Sequence, residues 1–226
     1  MKRFIFGLLC SFLVSQMLFA ATSTSFAPFE DVYVTGKIEV TFVVGEEEKV
    51  TIEDREDKIR VEQSGKVLKI KRKGLADYRN YQGFPIRVTV MYKALRFIKA
   101  SAGADIRHEG AGYMGDKLTL RLASGATGKF EVQANALEVH LTEGAQMQLE
   151  GSTENLNVDV STGASLRARR LESQRAYARA TTGGDARVFA AQRLEANANT
   201  GGNIRYHGDP AELKVRDNLG GGVYGS

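Results

Sequence analysis

Between residues 96 and 207 short runs of alternating apolar and polar residues return again and again. Leu118, Leu120 and Leu122 are followed by Leu137, Val139 and Leu141, then by Leu156, Val158 and Val160. Ala176, Ala178 and Ala180 follow, and then Leu194, Ala196 and Ala198. A period of two is the mark of a β-strand with one buried face. Each run ends at a corner of small residues. The corners are Ser101-Ala102-Gly103-Ala104, Ala123-Ser124-Gly125-Ala126, Thr142-Glu143-Gly144-Ala145, Ser161-Thr162-Gly163-Ala164, Thr181-Thr182-Gly183-Gly184 and Asn199-Thr200-Gly201-Gly202, with a degenerate Leu219-Gly220-Gly221-Gly222 at the end. Beyond each corner the alternation resumes, as in Phe130 and Val132, Met147 and Leu149, or Leu166 and Ala168. The corner glycines Gly103, Gly125, Gly144, Gly163, Gly183, Gly201 and Gly220 are 22, 19, 19, 20, 18 and 19 residues apart.

A single strand–corner–strand unit cannot bury its own apolar face, but a stack of them can. The pattern therefore predicts an all-β protein, a right-handed parallel β-helix (solenoid) with coils of about 19 residues. An antiparallel sandwich also has short alternating strands. It does not require the same side-chain character at equivalent positions, whereas here the residues three before the corner glycine read Ala100, Leu122, Leu141, Val160, Ala180 and Ala198. Pro28, Pro85 and Pro210 all fall outside the repeated block, as they should if its strands are hydrogen-bonded on both sides. The inward columns shrink from Leu to Ala along the chain, which predicts a narrowing core. At each corner glycine is expected to supply the backbone angles, and the small residue before it to bond locally to the backbone.

Residues 22–95 alternate in a less regular style and read as a β-rich N-terminal cap with the first irregular coils. Residues 96–207 are the regular coils, and 208–226 a segment closing the C-terminal end. Residues 22–226 form one structural domain in this reading. The first 21 residues stand apart. Lys2 and Arg3 precede an apolar run that exits through Ala20, Ala21 and Thr22, the three parts of a cleaved secretory signal. No later stretch is apolar for long enough to cross a bilayer as a helix. Cys10, the sole cysteine, lies inside that signal, so the mature chain is expected to have neither disulfide nor thiolate chemistry.

Charge changes the picture only locally. Removing Lys2 and Arg3 lowers the formal charge from +4 to +2, too little to point to nucleic acid. Stacking the coils, however, aligns Arg107, Lys129, Gln148, Arg167, Arg187 and Arg205, four residues after each corner glycine and pointing outward. Two residues further on stand Glu109, Glu131, Glu150, Arg169, Phe189 and His207. The acidic column beside the basic one is thus lost in the later coils. This face reads either as a charge-compensated strand surface or as a groove for an anionic polymer near Arg167, Arg169, Arg187 and Arg205.

Other chemistry is thin. Asp159 falls between His140 and Arg179 in one exposed column, with no nucleophile beside it. His108, His140 and His207 sit on separate coils and share no acid cluster, so neither a metal nor another cofactor is expected. Asp105, Asp116, Asp159 and Asp185 are not grouped as glycan cleavage or calcium binding would require. In the irregular loop 76–84, Tyr78, Arg79, Tyr81 and Phe84 either cover the cap or stack on a ligand.

The stretches FEDVYVTGKIEVTF and LRFIKASAGADI, the serial SGA corners and the terminal YHGDPAELKVRDNLGGGVYG together resemble the head GIN domain family. These are secreted bacterial β-helical proteins described as auto-transporter adhesins. The resemblance spans about Phe29 to Gly225. It implies a non-catalytic, exported binding or adhesin-like protein at the cell envelope, in the periplasm or outside the cell, with a glycan, an envelope polymer or a surface protein as partner. A polysaccharide lyase or hydrolase and a structural, self-assembling envelope protein are the alternatives, and homo-oligomerisation stays open. Glu143 and the two Gly-Gly corners depart from the family's small-Gly-Ala corner, so no recognition role is carried over to those corners.

Overall fold

The computed structural model describes residues 21–53, 56–74, 85–110 and 112–226. All but the last residue of the expected signal, and the loop residues Tyr78, Arg79, Tyr81 and Phe84, lie outside the described residues. Apart from one 3₁₀ turn at Glu56–Lys58, the regular structure described is β-strand, and the solenoid expected from the alternation is there.

Each regular coil presents two strand faces. The back face runs into the glycine corner. It stacks β6 (Val67–Arg72), β2 (Asp31–Thr35), β8 (Phe97–Ser101), β10 (Tyr113–Leu122), the C-terminal halves of β11 (Thr127–Leu141), β12 (Gln146–Val160) and β13 (Ser165–Ala180), then β15 (Arg193–Asn199) and β17 (Glu212–Asn218). The front face leaves the corner. It stacks β7 (Ile86–Tyr92), β3 (Ile38–Val44), β9 (Asp105–Glu109), the N-terminal halves of β11, β12 and β13, then β14 (Asp185–Phe189), β16 (Asn203–His207) and β18 (Gly222–Gly225). All these stacked pairs are parallel. Between the faces the inward columns close into one core: Leu118, Leu137, Leu156, Ala176 and Leu194, for example, are each at most 3% exposed. The taper toward alanine is present: Leu118, Leu120 and Leu122 give way to Ala176, Ala178 and Ala180 and then to Leu194, Ala196 and Ala198, so the later coils bury less side chain than the first regular ones.

The first coils are not stacked in chain order. Strands β2 and β3 lie between β6/β7 on one side and β8/β9 on the other, each pair parallel. Beyond β6/β7 the end of the solenoid is covered by antiparallel strands: β4 (Lys49–Ile52) on β7, β1 (Thr22–Ser25) on β4 and β5 (Ile59–Ser64) on β6. The chain thus builds its second coil before the one beneath it, an order that alternation alone does not encode. Among the described residues, the other end is left open. Residues 212–225 add a further coil on β15 and β16 rather than folding over the end, and Leu213 and Val215 stay 45% and 42% exposed. In that coil Asp217 takes the core position held below it by Ala198. An inward-pointing charge on an edge strand discourages pairing with another chain.

The corners depart from expectation in one respect. The residue before each glycine is itself left-handed: Ala102, Ser124, Glu143, Thr162, Thr182, Thr200 and Leu219 have φ between 48° and 56°, and the glycines that follow between 70° and 76°. Positive φ at both central residues, with Ala164 N–H donating to Ser161 O at 3.1 Å, is a type I′-like turn. Left-handed φ is unfavourable for any residue with a Cβ and most of all for threonine. The stack holds it in place: Gly163 N–H donates to Thr182 O of the next coil at 3.1 Å, and Gly144, Gly125 and Gly103 make the same bond one coil earlier each time. Backbone stacking, not the local side-chain bonding expected from the sequence, is what secures the corner. The hydroxyl of Ser124 donates instead to the Glu143 carboxylate at 2.6 Å, on the surface.

Candidate functional site

The front face carries the basic ladder. Register places Arg107 beside Lys129, Lys129 beside Gln148, Gln148 beside Arg167, Arg167 beside Arg187 and Arg187 beside Arg205. Adjacent strands are about 4.8 Å apart, so these side chains form one continuous column up the solenoid. Strand alternation turns every one of them outward; Gln148 is half-buried and the cations are exposed.

The acidic neighbour of Arg107 differs from the one expected. Arg107 is bound by Asp105 at 2.6 Å, on the opposite flank from Glu109, and this pairing holds the guanidinium pKa above its ordinary value. Asp185 sits 3.7 Å from Arg187 in the same relation. For Arg107 and Arg187 the contacting carboxylate thus stands in the column nearer the corner, which is uncharged in the other coils. The expected alignment of Arg169 with Glu150 is also corrected. The ladder between β12 and β13 slips after Gln148–Arg167, so that Glu150 faces Arg170. Arg170 approaches Glu150 at 3.3 Å, and Gln148 Nε2 donates to the same carboxylate oxygen at 2.8 Å. The Gln148 hydrogen bond, then the charges of Arg170 and Lys129, hold this carboxyl below the usual carboxylate range.

The slip is a β-bulge: two residues of β13, Ala168 and Arg169, stand opposite the single Leu149. Arg169 and Arg170 consequently both point to solvent in succession. Gln148, Leu149, Glu150, Arg167, Arg169, Arg170 and Arg187 line an open cleft of about 360 Å³. Among the described residues no ion pair engages Arg167, Arg169 or Arg205. The arrangement offers planar, multi-donor cations whose charge is not met within the protein, the requirement for holding anions.

The remaining candidates do not assemble into chemistry. His140, Asp159 and Arg179 are ladder neighbours on the back face, as the column reading placed them. No ion pair within 4.0 Å joins them, and no nucleophile lies in the column. Among the described residues no three histidine, cysteine or carboxylate side chains group as metal ligands. The corner glycines serve the turns.

His108 was missed as a special residue. It sits at the end of β9, where its ring lies 5.9 Å from Tyr92 and 5.7 Å from Phe130, and its Nε2 is hydrogen-bonded to the Tyr92 hydroxyl at 2.6 Å. Burial among these rings penalises the charged form and pushes its pKa down to about 4 from 6.5. A depressed folded pKa means that the unfolded chain binds the proton more readily. The stabilising contribution is therefore complete above pH 6.5 and is lost as the pH falls through that value toward 4. Urea unfolding should show a midpoint that declines over this window, and His108→Gln should flatten the decline. An unchanged slope in the variant would place the acid sensitivity elsewhere.

The comparisons with known proteins agree with this architecture. A family model described as "Putative auto-transporter adhesin, head GIN domain" matches residues 28–210. No curated protein matches the chain. Among solved structures, a putative adhesin from Bacteroides fragilis superposes with a TM-score of 0.83 at 15% identity, covering 92% of this chain and 96% of that one. A putative adhesin from Parabacteroides merdae gives 0.71 at 18% identity over 92% and 95% of the two chains. A putative lipid binding protein from Parabacteroides distasonis gives 0.65 at 16% identity over 92% and 96%. At such identities the likeness is one of fold. With its coils, its corners and the family match over most of its length, the chain belongs to the head GIN domain family of putative auto-transporter adhesins.

Proposed function

We propose that this protein is an exported, non-catalytic, adhesin-like binding protein of the cell envelope or surface, and that it holds an anionic glycan or envelope polymer along the front-face ladder. One observation carries the reading: Arg167, Arg187 and Arg205 stand in unbroken register, the column of Glu109, Glu131 and Glu150 is not continued in the later coils, and of the three only Arg187 has a carboxylate partner, Asp185 at 3.7 Å. Like charges opposed on neighbouring strands are destabilising unless something meets them. A linear polyanion running along the solenoid axis would meet one cation per coil. The family description and the apolar N-terminal run support export.

The test is an array of acidic and neutral glycans, probed with the wild type and with Arg167/Arg187/Arg205→Ala. Acidic glycans should be retained by the wild type, and the triple variant should lose at least about tenfold in affinity, since charged hydrogen bonds to a ligand are typically worth that much each. Equal binding by the variant would remove the ladder from the account. Release of new reducing ends from an acidic polysaccharide would overturn the non-catalytic part and favour a lyase or hydrolase.

A further inference from the structure

The coil between Gly163 and Gly183 is 20 residues long, whereas the two before it are 19. The register shows where the extra residue went: into the bulge opposite Leu149, on the front face. A one-residue insertion in a strand ordinarily flips every later side chain to the other face. Here the bulge absorbs it, and Leu171 returns to the core at 0% exposure. The inserted side chain is an arginine. Bulges re-aim side chains and tend to sit beside functional sites.

The charges around it are arranged in an unequal way. Arg170 occupies the regular ladder position and is engaged by Glu150. Glu150 is in turn held by Gln148. Arg187 has Asp185 at 3.7 Å. Four arginines (Arg167, Arg169, Arg170 and Arg187) line one open cleft of about 360 Å³ and have two carboxylate partners, Glu150 in its lining and Asp185 beside Arg187, which leaves two positive charges in excess. A regular 19-residue coil would carry one arginine fewer and half that excess.

We propose that the bulge builds a discrete subsite for a tetrahedral ester oxyanion, a sulfate or phosphate group carried by a glycan, with Arg167, Arg169 and Arg187 as its donors. This rests on the reading that the ladder binds an anionic glycan, and names the group it selects. A guanidinium donates through a planar fork to two oxygens at once. A carboxylate offers two oxygens and one charge, which a single fork satisfies. An ester sulfate or phosphate offers three free oxygens in a pyramid, which three guanidinium groups can meet from three sides. The excess of two charges also suits a phosphate monoester, which carries up to two negative charges near neutral pH. Arg205, one coil further on, then serves the continuing polymer rather than the ester.

The experiment measures affinity for three glycans of equal length bearing sulfate esters, phosphate esters or only carboxylates, alongside vesicles containing anionic phospholipid. The proteins are the wild type, Arg169→Gln, a deletion of Arg169 and Arg205→Gln. The deletion restores a 19-residue coil like its neighbours, and thermal unfolding checks that it folds; where it does not, Arg169→Gln carries the test alone. Both Arg169 variants should weaken binding of one or both ester-bearing glycans about tenfold and leave carboxylate-only binding unchanged. The arm that responds identifies the ester. Wild-type affinity for the esters in both Arg169 variants, with Arg205→Gln weakened, would overturn the subsite and leave the ladder standing. Equal losses on carboxylate-only glycans would overturn the selectivity. Retention by vesicles but not by soluble glycans would assign the arginines to a lipid surface instead. Failure of the wild type to bind any acidic glycan would remove the ladder reading, and the subsite with it.

Discussion

Phe130→Ala is expected to cost about 3–5 kcal/mol of folding stability, the range found for removing a large aromatic side chain from a core. Phe130 is 1% exposed and lies at the seam between the irregular and regular parts of the solenoid. Its ring contacts Phe42 of β3 at 5.9 Å and His108 of β9 at 5.7 Å between centroids. It therefore ties the out-of-order coil to the regular stack across β9. Alanine would leave a void bounded by parallel ladders on both faces, and such walls relax little. Water reaching the void would also rehydrate His108, so the fall in stability toward acid should shrink in the same variant. Urea unfolding of the wild type, Phe130→Ala and Phe97→Ala measures both effects. Phe97 lies outward beneath the Arg121 guanidinium, 5.5 Å from its ring centroid, and should matter much less. A loss below about 1 kcal/mol for Phe130→Ala would mean that the seam can collapse and that the two regions are not packed as described.

Gly202→Ala is expected to cost about 1–3 kcal/mol or more, because a Cβ there would stand 2.2 Å from Ala180 O and 2.4 Å from Ala180 C. The obstacle is backbone of the preceding coil, which cannot swing aside as a side chain would. Gly184 meets the same wall, with Val160 O at 2.4 Å. The equivalent positions in the four earlier corners are Ala104, Ala126, Ala145 and Ala164, all buried. The corner thus tightens partway along the solenoid, in the same coils in which the core has shrunk to alanine. The Gly-Gly corners mark that tightening and have no need of a recognition role. Thermal unfolding of Gly202→Ala beside Gly163→Ala separates the two causes. At Gly163, whose Cβ would meet nothing within 4 Å, only the left-handed backbone opposes a side chain. That cost is about 1–2 kcal/mol. A Gly202→Ala protein as stable as the wild type would show that the coils separate more easily there than their stacking implies.

Much of this architecture was legible in the residues. The repeating inward columns specified parallel stacking, because only equivalent coils give Leu137 and Leu156 the same surroundings. The outward basic column followed by parity. What the alternation cannot carry is anything of period one. The 20-residue spacing between Gly163 and Gly183 betrayed an insertion, but Ala168, Arg169 and Arg170 allow the bulge at more than one place. Only the pairing of Glu150 with Arg170 locates it. The left-handed threonines were illegible for a different reason. Their conformation is imposed by hydrogen bonds from the coil beneath, against their own preference. The placement of β2 and β3 between later strands was equally hidden, since strands of similar pattern are interchangeable until their partners are known. His108 gave no signal because its partner Tyr92 is 16 residues away and lies in another coil.

The proposed function turns on where an anionic glycan touches this protein. Amide hydrogen exchange in the presence and absence of an acidic glycan that the wild type retains locates that contact directly. Protection should gather on β13, β14 and β16 where they carry Arg167, Arg169, Arg187 and Arg205. Protection centred on the back face, along β15 and β17, or on the open end around Leu213 and Val215, would contradict it.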